Sequence, residues 1–385
     1  MDLDLTEEQL MIRQAVRDFA QKEIIPVSRQ LAREKRFPWE ILKKMVPLGF
    51  LGAPISQEYG GMGLDDLSLS IFMEEMGKAN LPLSTTMSTH MANVGQTIEQ
   101  WGTPEQKERY LPRMCRGEVL AGFAATEPNI GSDIASIETI AAKDGGFWVL
   151  NGTKIFTTNG GVAGVVLVIA QADKSRGYRG LTAFLVDRGT QGFTTRDIHG
   201  KLGLQSSNTA ELIFDGCRLP QNALLGGEIG SGFRIAMSAL DRARLCCAAQ
   251  CVGVAQACID AAVEYAKNRI QFGKPIGGHQ LIQEIISDMI VETEAARFLT
   301  YRAAYARTKG NSASTEISKA KYYASEVVFR VANNALQVHG GYGYIDDFPV
   351  ERYLRDIRIA TIWDGTSQIQ TLLIARDALD INAFS

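Results

Sequence analysis

The hydrophobic period changes twice along the chain, near residue 121 and near residue 231. A chain that reads helix, then strand, then helix must bury each stretch against a different partner layer. In the first stretch Ile12, Ala15, Val16, Phe19 and Ala20 recur at helical spacing between polar residues. "GTPEQKERYLPRM" sets Pro104 at a helix start with Glu105 in the first turn. "TTMSTHMANVGQTIEQWG" carries little charge and predicts a buried helix. Between 121 and 230, "VVLVIA", "LTAFLVD" and "TAELIFDG" are apolar runs rich in β-branched residues and predict strands. "GFWVLNGTKIFTT" centres on Asn151-Gly152, a strong hairpin signal. Beyond 231 the period predicts helices over about 231–268, 279–309, 313–338 and 366–382.

At 385 residues the chain exceeds what one hydrophobic core usually spans. The expected organisation is therefore α+β and multidomain: helical over 1–120, β over 121–230 and helical again over 231–385. The net charge of −3 offers no basic field for nucleic acid or an anionic membrane. The start, "MDLDLTEEQL", lacks the basic and apolar regions of a signal peptide, and runs such as "VVLVIA" are too short to span a bilayer. A cytoplasmic protein without membrane insertion is expected. The six cysteines include no CxxC pair; Cys247, Cys251 and Cys258 fall at helical spacing among small residues, which predicts close helix packing and no metal.

Several short segments could carry chemistry. "GFAATEPNIGSD" (122–133) offers hydroxyls and backbone N–H groups to a polar ligand, though a turn with a helix cap fits the same residues. In "KIFTTNGG", Phe156 and Thr158 share one strand face. Arg269, in "NRIQFGKPIGGHQLIQE", could pair with phosphate or satisfy a helix end. The glycines of "QVHGGYGY" permit close backbone approach but do not follow a strand, so no Rossmann fingerprint is present. His339 in that segment suits a packed role. Asp241 and Arg244 lie one helical turn apart. Asp364 precedes a glycine in "TIWDGTSQIQ", where Asp is often only a turn residue.

Taken together and in order, these segments resemble the acyl-CoA dehydrogenase family. "GFAATEPNIGSD" and "QVHGGYGYIDDFPVERYLRDIRIATIWDGTSQIQ" are similar to its two signatures, and "KIFTTNGG" and "RIQFGKPIGGHQLIQEIISDM" match between them. The resemblance covers nearly the whole chain. It implies a middle β-barrel-like domain, a C-terminal four-helix bundle, non-covalent FAD, and a homotetramer built as a dimer of dimers. It implies α,β-desaturation of an acyl-CoA, with β-hydride transfer to the flavin N5 and electron-transferring flavoprotein as acceptor.

By the same resemblance, Phe123, Ala125, Thr126, Ser132, Phe156 and Thr158 meet the flavin, and Ser132 also meets the thioester. Arg269, Phe272, Gln280, Gln337, Gly340 and Gly341 reach a neighbouring subunit's FAD, while Thr366 and Gln368 match contacts to the adenosine end of FAD. Asp241 and Arg244 grip CoA, and Gly365 adjoins the substrate. Thr85, Thr86, His90 and Met91 belong to the acyl pocket. The family's usual catalytic position is Glu before Gly-Thr; here it is Asp364. The alternative position on the earlier helix is Ala243, so Asp364 is the expected base. An Asp reaches roughly 1.5 Å less far than Glu. Trp363 stands where Tyr is common, and the pair is expected to suit an alicyclic or branched acyl group. Rival readings are an enoyl-CoA reductase, a carrier-protein thioester dehydrogenase, a nitroalkane-oxidase-like flavoenzyme, or a non-catalytic flavin or CoA binder.

Overall fold

The computed structural model describes residues 4–310 and 313–383. The first three residues of the acidic start and the last two of the C-terminal region lie outside the described residues. The N-terminal region holds α1 (Glu7–Phe19), α2 (Ile25–Glu34), α3 (Trp39–Met45), α4 (Asp66–Ala79), α5 (Leu81–Met87), α6 (Gln96–Trp101) and α7 (Pro104–Cys115). Two of these starts are capping boxes, Thr6 with Gln9 and Thr103 with Gln106, and Pro104 occupies the first turn of α7 as predicted. Val16, Phe19 and Ala20 are buried, whereas Ala15 is exposed. The buried low-charge segment is not one regular helix: Ser88–Gly95 between α5 and α6 is π-helical.

The β region comprises β1 (Ala121–Ala124), β2 (Ile140–Asp144), β3 (Phe147–Thr158), β4 (Val165–Gln171), β5 (Leu181–Asp187), β6 (Phe193–Asp197) and β7 (Thr209–Pro220). One edge of β4 pairs antiparallel with β5 along its length. The other edge is shared: β1 runs parallel to its start and β2 meets it at Gln171. Both faces of β4 are covered, which explains its unbroken apolar run. Val165, Leu167 and Ile169 face Ile235 and Ala236 of the helical side, while Val166, Val168 and Ala170 fill the β core.

Asn151-Gly152 does not form a hairpin turn. It lies inside β3 at a register shift against β7, with Gly152 at φ 148°. Asn151 accepts a hydrogen bond from the Gly216 N–H at 2.7 Å, which holds the bulge. The hairpin turn is Gly145-Gly146, between β2 and β3.

The C-terminal region contains α8 (Gly232–Asn268), α9 (Gln280–Thr308), α10 (Ser314–His339), α11 (Val350–Ile357) and α12 (Ser367–Leu379), with a small β8 (Ile270–Gln271) and β9 (Lys274–Pro275) hairpin. By length and hydropathy α8 could cross a membrane, but here it is the central helix, packed on α4, α9 and α10. Its approach to α4 is set by glycine: a Cβ on Gly253 would lie 2.0 Å from the Glu74 carbonyl oxygen. All six cysteines are buried and unpaired, and Cys247, Cys251 and Cys258 sit in the bundle core. Among the described residues no group of metal-ligating side chains forms.

Candidate active site

The β-region wall of the site is held by a buried charge pair. Glu127 is buried and accepts from the N–H groups of Glu138 (2.6 Å) and Thr139 (2.8 Å). The fully buried Lys154 of β3 donates to Glu127 at 2.8 Å and to the Ala125 carbonyl at 2.9 Å. Burial lowers the Lys154 ammonium to about 8, with the Glu127 charge opposing the fall. The pair fixes the 122–133 loop on the sheet.

That loop and the end of β3 face a cavity of about 1410 Å³. Ligand pockets usually occupy about 300–1,000 Å³, so this space is large enough for more than one ligand. Phe123, Ala125, Thr126, Ser132, Phe156 and Thr158 all line it. Phe156 breaks the regular alternation: it sits at a bulge with φ 57° and is 64% exposed. Asp241, Arg244, Asp364, Gly365 and Thr366 reach the same cavity from the helical bundle.

Asp364 and Gly365 form a sharp turn before α12, with φ values of 54° and 93°. Thr366 caps the helix by accepting from the Ile369 N–H at 3.2 Å. The turn is held by its carbonyls. Arg244 Nε donates to the Asp364 carbonyl at 2.8 Å. Lys321 Nζ donates to the Gly365 carbonyl at 2.8 Å, and Gln370 Nε2 to the same oxygen at 3.0 Å. Asp241 accepts from Arg244 at 2.9 Å and from Ser314. Trp363 Nε1 donates to Cys247 Sγ at 3.0 Å, tying the turn to the centre of α8. With its main chain clamped, the Asp364 carboxylate accepts no hydrogen bond from the described residues. The Asp364 N–H likewise donates to none of them. Burial raises the carboxyl above the usual Asp range, while Lys321 and Arg244 pull the other way.

The remaining expected site residues lie elsewhere. Arg269, Gly340 and Gly341 line a second cavity of about 500 Å³, with Arg269 over the Tyr342 ring at 5.6 Å. Phe272 stands at the tip of the β8–β9 hairpin, 95% exposed. Gln280, Gln337 and Gln368 are also exposed. His339 is packed, stacked on Tyr265 at 4.3 Å.

The expected acyl pocket needs correction. Thr85 lines the large cavity, but Thr86, His90 and Met91 point into the protein. His90 is fully buried, bonded to the Met114 carbonyl and the Ala121 N–H, and burial lowers its pKa to about 4. The π-helical turns shift the face, so Ser88, Thr89 and Asn93 line the cavity instead. Lys321, Gln370, Glu127 and Lys154 were not legible as site residues. Each acts through a contact more than ten residues away or through main-chain carbonyls, which leaves no local pattern.

A helix–sheet–helix chain with a clamped, half-buried carboxylate facing a cavity large enough for two ligands defines a class of enzyme that works on a substrate beside a large cofactor. The chain belongs to the acyl-CoA dehydrogenase family. Its N-terminal, middle and C-terminal domain models match residues 6–118, 122–217 and 230–379. The chain is 45% identical over 381 residues to the acryloyl-CoA reductase (NADH) of Anaerotignum propionicum, covering 98% of this chain and 96% of that one. It superimposes on butyryl-CoA dehydrogenase from Megasphaera elsdenii with TM-score 0.95 at 38% identity, covering 98% and 100% of the two chains. A structure from work on the electron transferring flavoprotein of Acidaminococcus fermentans matches with TM-score 0.97 at 40% identity, covering 99% and 100%. The α+β architecture, with helical regions on either side of the middle β domain, is that of the family.

Proposed function

We propose that this enzyme oxidises an acyl-CoA to its α,β-unsaturated thioester, with Asp364 as the base that removes the α-proton. The observation that carries the proposal is the Asp364 turn: its main chain is held by Arg244, Lys321 and Gln370, while its carboxylate, on the cavity wall, has no donor among the described residues. A carboxylate left unbonded in a partly desolvated wall is a stronger base than one in water. The free Asp364 N–H is available to the thioester carbonyl oxygen, where charge grows as the proton leaves.

The cofactor is FAD, and the large cavity fits it. Phe123 and Phe156 offer apolar rings, and Thr126, Ser132 and Thr158 offer hydroxyls along one wall. FAD supplies the two-electron acceptor for the β-hydrogen. Asp241 and Arg244 stand on the CoA side. The exposed Phe272, Arg269, Gln280, Gln337, Gly340 and Gly341 suit contacts with a second subunit's FAD, and Thr366 and Gln368 suit the adenosine end of FAD. An exposed apolar row on α9, Val291, Phe298 and Tyr305 at seven-residue spacing, supports assembly as a dimer of dimers. Electron-transferring flavoprotein is the acceptor, and the cytoplasm the location. Asp364 and Trp363 together suit an alicyclic or branched acyl group.

The reverse reaction, reduction of an enoyl-CoA, is a second reading on the same residues, and the 45% identity to a reductase favours it. Anaerobic titration of the oxidised-flavin band with linear, branched and cyclohexanecarboxyl-CoA tests the direction and the acyl class. Bleaching by a saturated thioester supports dehydrogenation; bleaching by none of them contradicts it.

A further inference from the structure

The acyl end of the cavity carries an unpaired amide. Asn93 is 7% exposed, lines the cavity, and its Oδ1 has no hydrogen-bond partner. Its main-chain carbonyl accepts from the Thr97 hydroxyl at 2.6 Å. One turn earlier, Thr89 lines the same cavity. Buried polar groups are normally paired, and an orphaned one marks a missing partner. A plain alkyl chain would leave the Asn93 amide unpaired and remove it further from water.

The neighbourhood also sets the charge of the missing partner. Thr85, Ser88, Thr89 and the facing Gln250 are neutral. The cavity's cations, Lys201, Arg244, Arg355, Arg358 and Arg376, all lie outside this helical segment, and Arg244 is engaged by Asp241 and the Asp364 carbonyl. A carboxylate on the acyl group would meet no free cation on this segment. A neutral hydroxyl, which both donates and accepts, matches an amide that can do the same.

We infer that Asn93 is a specificity-determining residue, and that the preferred acyl group carries a neutral hydroxyl that hydrogen-bonds its side-chain amide. The inference rests on the proposed reading of this cavity as an acyl-CoA site. The π-helical turn is what makes the contact available, because in a regular helix the cavity-facing positions of this segment would fall differently.

The test uses the FAD-loaded enzyme and two matched pairs: butyryl-CoA with 4-hydroxybutyryl-CoA, and cyclohexanecarboxyl-CoA with its 4-hydroxy derivative. Dissociation constants come from the shift of the flavin spectrum, and kcat/KM from turnover. The wild type is expected to favour the hydroxylated member of at least one pair by about tenfold or more in both. Asn93→Leu should abolish that preference while retaining flavin. Asn93→Ser, a smaller change, should weaken it and carries the test if the leucine variant does not fold. Equal binding of both members by the wild type, or a preference that survives in the variants, overturns the inference while leaving the acyl-CoA reading intact. Failure of every thioester to bind overturns both.

Discussion

Arg244 does not simply pair with Asp241 on the surface of a helix; its Nε donates to the main-chain carbonyl of Asp364, 120 residues later in the chain, at 2.8 Å. The pairing of Asp241 with Arg244 therefore orients the guanidinium toward the base. Arg244→Met should lower kcat by about 10–100-fold, because a shift of about 1 Å at the base costs that order of rate. Flavin content should stay unchanged. Rapid-mixing kinetics of flavin reduction would check both.

Lys321 holds the next carbonyl, and its charge favours the ionised Asp364 carboxylate more than that of Arg244 does. Asp364 must be ionised to take a proton, so activity falls as pH drops through its raised pKa. Removing a cation disfavours the ionised form. Lys321→Met should therefore move the acid limb of the kcat/KM profile to higher pH. An unchanged limb with a lower plateau would assign Lys321 to packing alone.

Gly365 should tolerate no side chain. Its φ is 93°, and an added Cβ would lie 2.8 Å from Gln370 Nε2. Gly365→Ala should cost about 1–3 kcal/mol of stability through backbone strain. Thermal denaturation measures that cost.

The buried Glu127–Lys154 pair predicts a different stability effect. Lys154→Met leaves a buried carboxylate without its cation and should destabilise by about 3–5 kcal/mol. The Glu127→Gln, Lys154→Met double variant should recover part of that loss. Denaturant unfolding of the single and double variants tests it.

Asp356 predicts a pH trend opposite in sign to acid denaturation. Burial raises its carboxyl to about 6, above the usual value, despite the Leu204 N–H at 2.6 Å. Its ionised form costs folding free energy above that pH, and the cost disappears as pH falls through about 6 toward the unfolded value near 4. Asp356→Asn should thus be stabilising relative to wild type at pH 7–8, with the difference narrowing toward pH 4.

Much of this was legible in the sequence, and the failures have physical reasons. The period changes marked the β region, and the strands of β4, β5 and β7 fell where β-branched runs stood. Asn151-Gly152 misled because a bulge and a hairpin both favour this dipeptide; only the partner strand β7 distinguishes them. Thr86, His90 and Met91 were placed on the wrong face because no composition signal announces π-helical turns. Asp364 itself stood out through its place in a recognisable segment. The side chains that clamp it, Lys321 and Gln370, bond main-chain oxygens, and such bonds leave no trace in side-chain patterning.

Single-turnover flavin reduction by a saturated thioester, followed anaerobically in wild type and Asp364→Asn, tests the account most directly. The substitution keeps shape and removes the base. The account predicts reduction slowed by about 10²–10⁴-fold, with thioester affinity and flavin content retained. Reduction at an undiminished rate in Asp364→Asn would contradict it and place the base on another residue.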